Sequence, residues 1–343
     1  ILRTFLRSLD FHLVRDELFL SLFKQYSPDL VLLPRIESAL DQALLRHAKR
    51  SGIKTIGVIN SWESIAFPRS SLRLLPDTFI VHNSIVKDLI VSYLGVRPSR
   101  IFVSGIPGFD QYIARQRMSK EAFYKKFAID PSKKIILFAS VAARNPTEYQ
   151  VLKLLNQAIE GRKLPEDIVF LVRNHPQGDM VKGTLVKGDL EPSEHIIFDN
   201  AKTFLEGGKT YLESLAEDLD HIADSLYHAE MVITTASSIS IDAAFFGKPI
   251  INIGFDGEEK KPFHESVAHY YTPYHPYYMS VGKSDGINVV RSFDELISSI
   301  NRYLKDPALD KDARKKMTLE QCYKLDGKSS KRAADVIMEE ITR

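Results

Sequence analysis

The sequence has almost no cysteine, with Cys322 the single one among 343 residues. One cysteine excludes an internal disulfide and a zinc site built on cysteine pairs. None of the ten histidines lies four residues from another on a helix face beside a glutamate, so we expect no metal site. No apolar run approaches the ~20 residues that a helix needs to cross a bilayer.

The beginning of the chain also lacks the features of a signal peptide. Arg3, Arg7 and Asp10 interrupt its apolar residues too early for the hydrophobic segment of such a peptide. The pattern predicts an amphipathic helix, a type of segment that can contact a membrane surface. The first residue is not Met, which is typical of a processed or partial chain, and the first strand of the first domain could then be absent.

Charge is nearly balanced over the whole sequence but unevenly distributed along it. Residues 1–130 carry 19 Lys and Arg against 12 Asp and Glu, and the remainder carries 27 against 32. A basic first half could attract an anionic acceptor or a membrane surface, although an ordinary solvated surface explains the same excess. The excess is diffuse and no motif of a nucleic-acid-binding module accompanies it, so we do not expect nucleic acid as a partner.

Short β-branched runs alternate with amphipathic stretches, a pattern that predicts βα units and parallel sheets. The predicted strands are 29–34, 55–60, 78–83, 101–105, 133–140, 167–176, 195–200, 231–237 and 249–255. The predicted helices are 38–51, 84–95, 147–160, 216–229, 239–246 and 293–304, and a charged helical stretch from 309 breaks near Asp326 and Gly327. Asn83 and Ser84 are candidate caps for the helix that follows them.

This order predicts an α/β protein with two doubly wound, Rossmann-like domains and a cleft between them. The boundaries are 1–131 for the first domain, 132–308 for the second, and 309–343 for C-terminal helices that could cross back to the first. Residues 117–132 are the expected linker. In doubly wound sheets, ligands bind at the carboxyl ends of the strands, so functional residues should follow strands directly.

The most informative segment is ITTASSISIDAAFFGKPIINIGFD (233–256). A buried strand ends in small hydroxyl residues and a helix begins at once, so unpaired N–H groups and hydroxyl donors meet in one place. This arrangement suits a phosphate, although serine capping of the helix alone gives the same pattern. The candidate phosphate ligands are Thr235, Ser237, Ser238 and Ser240.

Two further segments place basic side chains after predicted strands. In FLVRNHPQGD (170–179), Pro176 restrains the backbone beside His175, which could donate to a phosphate or protonate a leaving group. Arg173 in the same segment could add positive charge, and Arg144 in ASVAARNPTEY (139–149) could pair with the same phosphate. A loop-capping histidine and a surface arginine are the alternatives.

These segments, with LDGKSSKRAADVI (325–337), resemble the CDP-glycerol glycerophosphotransferase group and related surface-carbohydrate transferases of the GT-B type. The His-Pro and Ser-Ser pairs are also similar to those of bacterial sialyl- and Kdo-transferases that use CMP-sugars. The resemblance assigns donor-phosphate binding to His175, Ser237 and Ser238. INSWESI (59–65) and VSGIPGFDQY (103–112) are similar to the Ser-Trp-Asp-Asn and Gly-x-Pro-x-x-Asp segments of such proteins.

The sequence departs from related patterns at several positions. Thr234 and Asp242 stand where retaining sugar-nucleotide transferases carry two glutamates. The paired glycines and glutamates of the non-hydrolysing UDP-N-acetylglucosamine epimerases are absent, which ranks that interpretation lower. Glu63 and Ser64 replace the Asp and Asn expected in the tryptophan-containing segment.

An inverting transfer also needs a base from the first domain to accept the acceptor proton. Glu63 is the first candidate and Asp110 the second, although Asp110 could simply cap a helix. Glu37 and His82 also lie near predicted strand ends. In HESVAHYYTPYHPYY (264–278), His269 and Tyr270 could line the cleft or form a lid, or the segment could be a domain or dimer contact.

The resemblance therefore implies a GT-B transferase with an acceptor domain at 1–131 and a donor domain at 132–308. The donor would be a sugar or polyol activated by CMP, CDP or UDP, and the acceptor a glycan or a lipid-linked group. No cofactor or metal ion is expected, and the expected location is the cytoplasm, including the inner face of the membrane. The alternatives are a nucleotide-sugar epimerase or hydrolase, and a non-catalytic nucleotide-binding component of a polysaccharide assembly complex.

Overall fold

The computed structural model describes most of the chain, namely residues 2–15, 18–34, 36, 38–59, 74–141, 145–175, 193–199, 204–206, 209–211, 216–258 and 261–342. The chain forms two compact units. The first unit comprises Ile1–Ala114 and Leu319–Arg343, and the second comprises Arg115–Thr318. The first unit is thus built from two stretches that are far apart in the sequence.

The first unit contains a four-stranded parallel sheet. Its strands are β1 (Leu30–Leu33), β2 (Lys54–Val58), β3 (Thr78–Val81) and β4 (Ile101–Val103), and they lie side by side in chain order. The helices of its first stretch are α1 (Leu2–Leu13), α2 (Leu20–Tyr26), α3 (Ala39–Arg50), α4 (Ser84–Leu89) and α5 (Asp110–Ala114). Apolar side chains from these elements form one core, which includes Leu33, Leu45, Phe79 and Val86.

Helix starts in this unit follow from local hydrogen bonding. The side chain of Ser38 accepts the N–H of Asp41 at the start of α3. The predicted cap at Asn83 is confirmed, since its Oδ1 accepts the N–H of Val86 at 2.9 Å. Each cap satisfies an N–H group that the first helical turn leaves unpaired.

The second unit contains a six-stranded parallel sheet. Its strands are β5 (Lys134–Ala139), β6 (Ile168–Arg173), β7 (Ile196–Asp199), β10 (Met231–Thr234), β11 (Ile250–Ile253) and β12 (Asn288–Val290), and β8 (Phe204–Glu206) pairs with β9 (Lys209–Tyr211) in a separate antiparallel hairpin. The order across the large sheet is β12-β11-β10-β5-β6-β7. Strands β6, β10 and β11 are buried along their whole length, which is typical of a parallel sheet covered on both faces.

The helices of the second unit separate its strands. They are α6 (Lys120–Lys126), α7 (Glu148–Glu160), α8 (Ala216–His228), α9 (Ile239–Phe245) and α10 (Phe293–Lys305). Helix α11 (Lys311–Cys322) begins in the second unit and ends in the first, which also contains α12 (Ser329–Thr342). Residues 117–132, predicted as a linker, contain α6, which Ser119 caps through the N–H of Ala122. Among the described helices, none combines the length and apolarity required to cross a membrane.

The predicted fold class is confirmed. Both large sheets are parallel, and the second has the strand order of a doubly wound Rossmann fold, with three strands on either side of its centre. The predicted break in the C-terminal helical stretch is also present, between α11 and α12. The short strand β12 was not predicted.

Candidate functional site

The sheet of the second unit has a topological switch point between β5 and β10. The chain runs outward through β6 and β7 on one side of this point and through β11 and β12 on the other. Ligands of doubly wound folds bind in the crevice that forms at the carboxyl ends of the strands at such a point. We therefore expect the ligand site to be formed by the segments that follow β5 and β10.

The strand register brings the main predicted residues to this edge. Ala139 at the end of β5 pairs with Thr234 on one side and with Arg173 on the other. His175 thus follows one neighbour of β5, and Ser237 and Ser238 follow the other. Parallel strands lie about 4.8 Å apart, so the ends of β6 and β10 are separated by roughly 10 Å.

The turn that follows β10 has an unusual backbone. Ala236 has a φ of 38°, in the left-handed region that residues other than glycine rarely adopt. Its N–H donates to the hydroxyl of Tyr271 at 3.0 Å. Ser237 is half-buried, and Ser238 is exposed and makes no side-chain capping bond to α9. These two hydroxyls therefore lie at the surface of the switch point.

The other predicted hydroxyl ligands point into the protein. The Thr235 hydroxyl donates to Glu148 Oε1 at 3.3 Å and accepts from the Asn145 amide at 3.0 Å. Ser240 donates to Asn252 Oδ1 at 3.3 Å and is fully buried. Both hydroxyls therefore stabilise the turn through hydrogen bonds to buried side chains.

Glu148 is a residue that the sequence reasoning missed. Its carboxyl group is buried and accepts from the Ser140 hydroxyl at 2.8 Å, from the Val141 N–H at 3.1 Å and from the Thr235 hydroxyl. Burial raises its pKa to about 8, against the opposing effect of these donors. Glu148 thus joins the segments that follow β5 and β10, and it is mostly protonated at neutral pH. Its only sequence signal is an acidic residue in the first turn of a helix, which is common and does not indicate a function.

Arg173 forms ion pairs inside the second unit. One guanidinium nitrogen donates to Asp199 at 3.0 Å and another to Asp218 at 2.6 Å. The side chains of Arg173 and Asp199 are each 5% exposed. His221 donates to the second oxygen of Asp199 at 2.7 Å. The charge that the sequence suggested for a phosphate is therefore already balanced by two carboxylates.

The remaining predicted residues of the second unit are His175, Arg144, His269 and Tyr270. His175 is half-buried at the carboxyl edge of the sheet. Arg144 lies outside the described residues. His269 Nδ1 lies 2.6 Å from the Ser266 carbonyl oxygen, and its ring contacts that of Tyr270.

The aromatic segment at 264–278 is attached to the sheet by two buried tyrosines. The Tyr271 hydroxyl donates to the Ile253 carbonyl at 2.9 Å while accepting the Ala236 N–H. The Tyr277 hydroxyl accepts from the Asn252 amide at 2.6 Å. This part of the segment therefore belongs to the core behind the Ser237–Ser238 turn.

In the first unit, Asp110 contacts the beginning of α12. Its two carboxylate oxygens accept the N–H groups of Ser329 at 3.0 Å and Ser330 at 2.7 Å. Burial alone would raise the pKa of Asp110, but these donors outweigh it and hold the pKa below its ordinary value. Gly105 in the same loop has a φ of 87°, and a Cβ there would lie 2.5 Å from Ser329 Oγ. The Gly-x-Pro-x-x-Asp segment thus docks the C-terminal helix.

This contact predicts a stability role for Asp110. We expect Asp110→Ala to lower the free energy of unfolding by about 1–2 kcal/mol, the range for loss of a helix cap. Urea denaturation would measure it, with Asp335→Ala as control because the Asp335–Lys331 pair is exposed. A loss of activity above about 100-fold with unchanged stability would instead identify Asp110 as the base.

The other three candidate bases are Glu63, Glu37 and His82. Glu63 and Glu37 lie outside the described residues. His82 follows β3, and desolvation lowers its pKa to about 4, so its imidazole is neutral at pH 7. A neutral imidazole can accept a proton, which keeps His82 among the candidates.

The first unit contains a cavity of about 520 Å³. Its lining includes Arg7 and Phe11 from α1, Lys54 at the start of β2, and Asp77 just before β3. It therefore lies at the amino ends of the strands, opposite the edge where doubly wound sheets bind ligands. Among the described residues, no group of three or more His, Cys, Asp or Glu side chains could hold a metal ion.

Comparison with known proteins supports the same fold. UDP-GlcNAc 2-epimerase from Neisseria meningitidis, bound to UDP-GlcNAc, is 14% identical and has a TM-score of 0.60 over 98% of this chain and 81% of its own. The wall teichoic acid polymerase TagF is 12% identical, with a TM-score of 0.55 over 99% of this chain and 97% of its own. These similarities confirm the predicted GT-B fold.

Sequence comparison gives a more specific result. The processive diacylglycerol beta-glucosyltransferase of Bacillus licheniformis is 24% identical over 182 residues, which are 53% of this chain and 42% of that relative. Less than half of that relative's length is therefore matched. Residues 69–339 match the family model described as CDP-Glycerol:Poly(glycerophosphate) glycerophosphotransferase, which confirms the resemblance seen in the motifs. Since this match covers well over half of the sequence, the chain belongs to the CDP-glycerol:poly(glycerophosphate) glycerophosphotransferase family, a family of transferases.

Proposed function

We propose that this protein transfers a polyol-phosphate or glycosyl group from a nucleotide-activated donor to a glycan or lipid-linked acceptor in cell-surface polymer synthesis. Family membership and the GT-B fold support a transferase. The observation that carries the proposal is the turn after β10, where two surface hydroxyls follow a left-handed residue at the switch point of the sheet. His175 follows β6 at the same edge.

The proposed chemistry places the donor phosphates at this edge. An acceptor hydroxyl attacks the transferred group, a base accepts its proton, and the nucleotide leaves with the negative charge. Hydroxyl and N–H donors around Ser237 and Ser238, together with His175, would stabilise that charge as it develops. The donor would be of the CMP, CDP or UDP type, with no cofactor and no metal ion.

The base remains a proposal within the first unit. Glu63 is our first candidate because it lies in a segment similar to one of the family's motifs. Asp110 is a weaker candidate, because the two N–H groups of α12 stabilise its anionic form and lower its basicity. His82 is the third candidate, as a neutral imidazole.

Activity with and without an acceptor tests the reaction class. We expect release of nucleotide from CDP-glycerol or a UDP-sugar only when an acceptor is present, in a buffer that contains EDTA. Isomerised or hydrolysed donor without acceptor would favour an epimerase or hydrolase, whose fold this chain shares. Binding without turnover would favour a non-catalytic nucleotide-binding component. Loss of turnover in EDTA would contradict metal independence.

Substitution of the two segments tests the site. We expect His175→Ala and Ser238→Ala each to lower turnover at least about tenfold, because each removes a hydrogen bond to a charged group. His195→Ala is a matched control, since His195 precedes β7 and binds the Ile168 carbonyl at the opposite edge of the same sheet. Turnover equal to wild type in both variants would contradict the site assignment.

We also propose a cytoplasmic location with access to the inner face of the membrane. A lipid-linked acceptor would lie there, and the excess of Lys and Arg over residues 1–130 would favour an anionic surface.

A further inference from the structure

Arg291 follows β12 at the carboxyl edge of the second sheet. The centre of its guanidinium lies 5.3 Å from the ring centroid of Tyr271, within the range of a cation–π contact. A Cβ at Gly254 would lie 3.1 Å from Nη1 of Arg291, so the glycine gives the guanidinium room beside the end of β11. An exposed arginine is thereby held at a defined place on this edge.

Tyr271 connects this cation to the turn that bears the two serines. Its hydroxyl accepts the N–H of Ala236, the residue before Ser237, and donates to the carbonyl of Ile253 at the end of β11. Its ring is buried and carries Arg291 on its face. One rigid side chain thus contacts both the arginine and the backbone of the turn.

The two arginines at this edge differ in what balances their charge. Arg173 is buried against Asp199 and Asp218. Within the part of the chain that the structure describes, the Arg291 guanidinium forms no ion pair, and the nearby carboxylate of Glu295 instead accepts the backbone N–H of Arg291 at 2.6 Å. The positive charge of Arg291 is therefore available to a ligand.

We infer that Arg291 binds the phosphate groups of the nucleotide donor, the role that the sequence suggested for Arg173. The inference rests on the proposed function and names a residue of the same site. A planar guanidinium can donate two parallel hydrogen bonds to phosphate oxygens. Stacking on Tyr271 restricts its orientation before the ligand arrives, which reduces the entropy lost on binding. The ligand class is a nucleoside diphosphate or its ester.

Binding measurements with CDP, which carries phosphates, and cytidine, which does not, test this inference. For Arg291→Gln, calorimetry should show binding of CDP weakened about 10- to 100-fold, the effect of losing hydrogen bonds to a charged group. Binding of cytidine, which has no phosphate, should be unchanged. Arg291→Lys should fall between the two, because it retains the charge but loses the paired hydrogen bonds.

Arg302→Gln is the matched control, since Arg302 is exposed on α10 toward the end of that helix away from the site. It should bind CDP as the wild type does. Equal CDP affinity in wild type and Arg291→Gln would contradict this inference alone. If the wild type binds neither CDP nor UDP, the proposed function fails, and this inference fails with it.

Discussion

Replacement of Arg173 by alanine is expected to lower the free energy of unfolding of the second unit by about 3–5 kcal/mol. The substitution would leave Asp199 and Asp218 without their guanidinium, and their side chains are only 5% and 12% exposed. Asp199 would keep the hydrogen bond from His221 but lose its charged partner, and the buried negative charge would lack compensation for its lost hydration. The substitution should therefore lower the stability directly. Donor affinity should fall only as a consequence of that lower stability.

Urea denaturation followed by circular dichroism would measure this effect. Arg162→Ala is the control, because Arg162 is 86% exposed and its contact with Glu166 is 4.0 Å long. Exposed pairs of this kind contribute about 0–1 kcal/mol. If Arg173→Ala keeps wild-type stability but loses affinity for CDP, the phosphate role that the sequence suggested would be correct.

Replacement of Glu148 by glutamine is expected to remove a pH dependence of stability. Burial raises the pKa of Glu148 from 4.5 to about 8, so the folded protein holds a proton that the unfolded chain releases between these values. Stability should therefore fall as pH rises through this window, by up to about 1.4 kcal/mol per pH unit, and become constant above it. Glutamine cannot ionise, so the variant should lack this slope.

The measurement is the free energy of unfolding in urea at several pH values across the window. Glu166→Gln is the control, because Glu166 is 75% exposed and should leave the slope in place. A slope as steep in Glu148→Gln as in wild type would show that another group is responsible. Because Glu148 also holds Thr235 behind the serine turn, donor affinity should weaken in wild type as the pH rises through about 8, where the folded protein loses this proton.

The fold could be predicted largely because parallel strands are apolar along their whole length. Residues 168–173 are all buried, and the sequence predicts a strand over 167–176. Some predicted strands extend beyond the observed ones, because residues with strand-like side chains continue past the end of the sheet. The strand predicted at 231–237 ends at Thr234, because Ala236 turns into the left-handed region. Strand β12 has three residues, too few for an alternating pattern to stand out.

The site could be predicted only at the level of segments. Sequence spacing identified the exits of β6 and β10, but it could not show that Thr235 and Ser240 bond inward while Ser238 remains exposed. Nor could it show that the partners of Arg173 lie 26 and 45 residues further along the chain. Arg291 went unnoticed because β12 was not predicted. Functional side chains of this kind depend on contacts that only the folded sheet creates.

The first unit is assembled from Ile1–Ala114 and Leu319–Arg343, and this division has a consequence for biosynthesis. The ribosome makes every residue of the second unit before it makes the partners of Gly105 and Asp110 at the start of α12. The four strands of the first unit are therefore synthesised long before α12, which belongs to the same unit. The second unit can fold as soon as its own residues have been made. Truncation within the last helix would then leave nascent chains that expose the surface around Gly105 and Asp110 to chaperones and proteases.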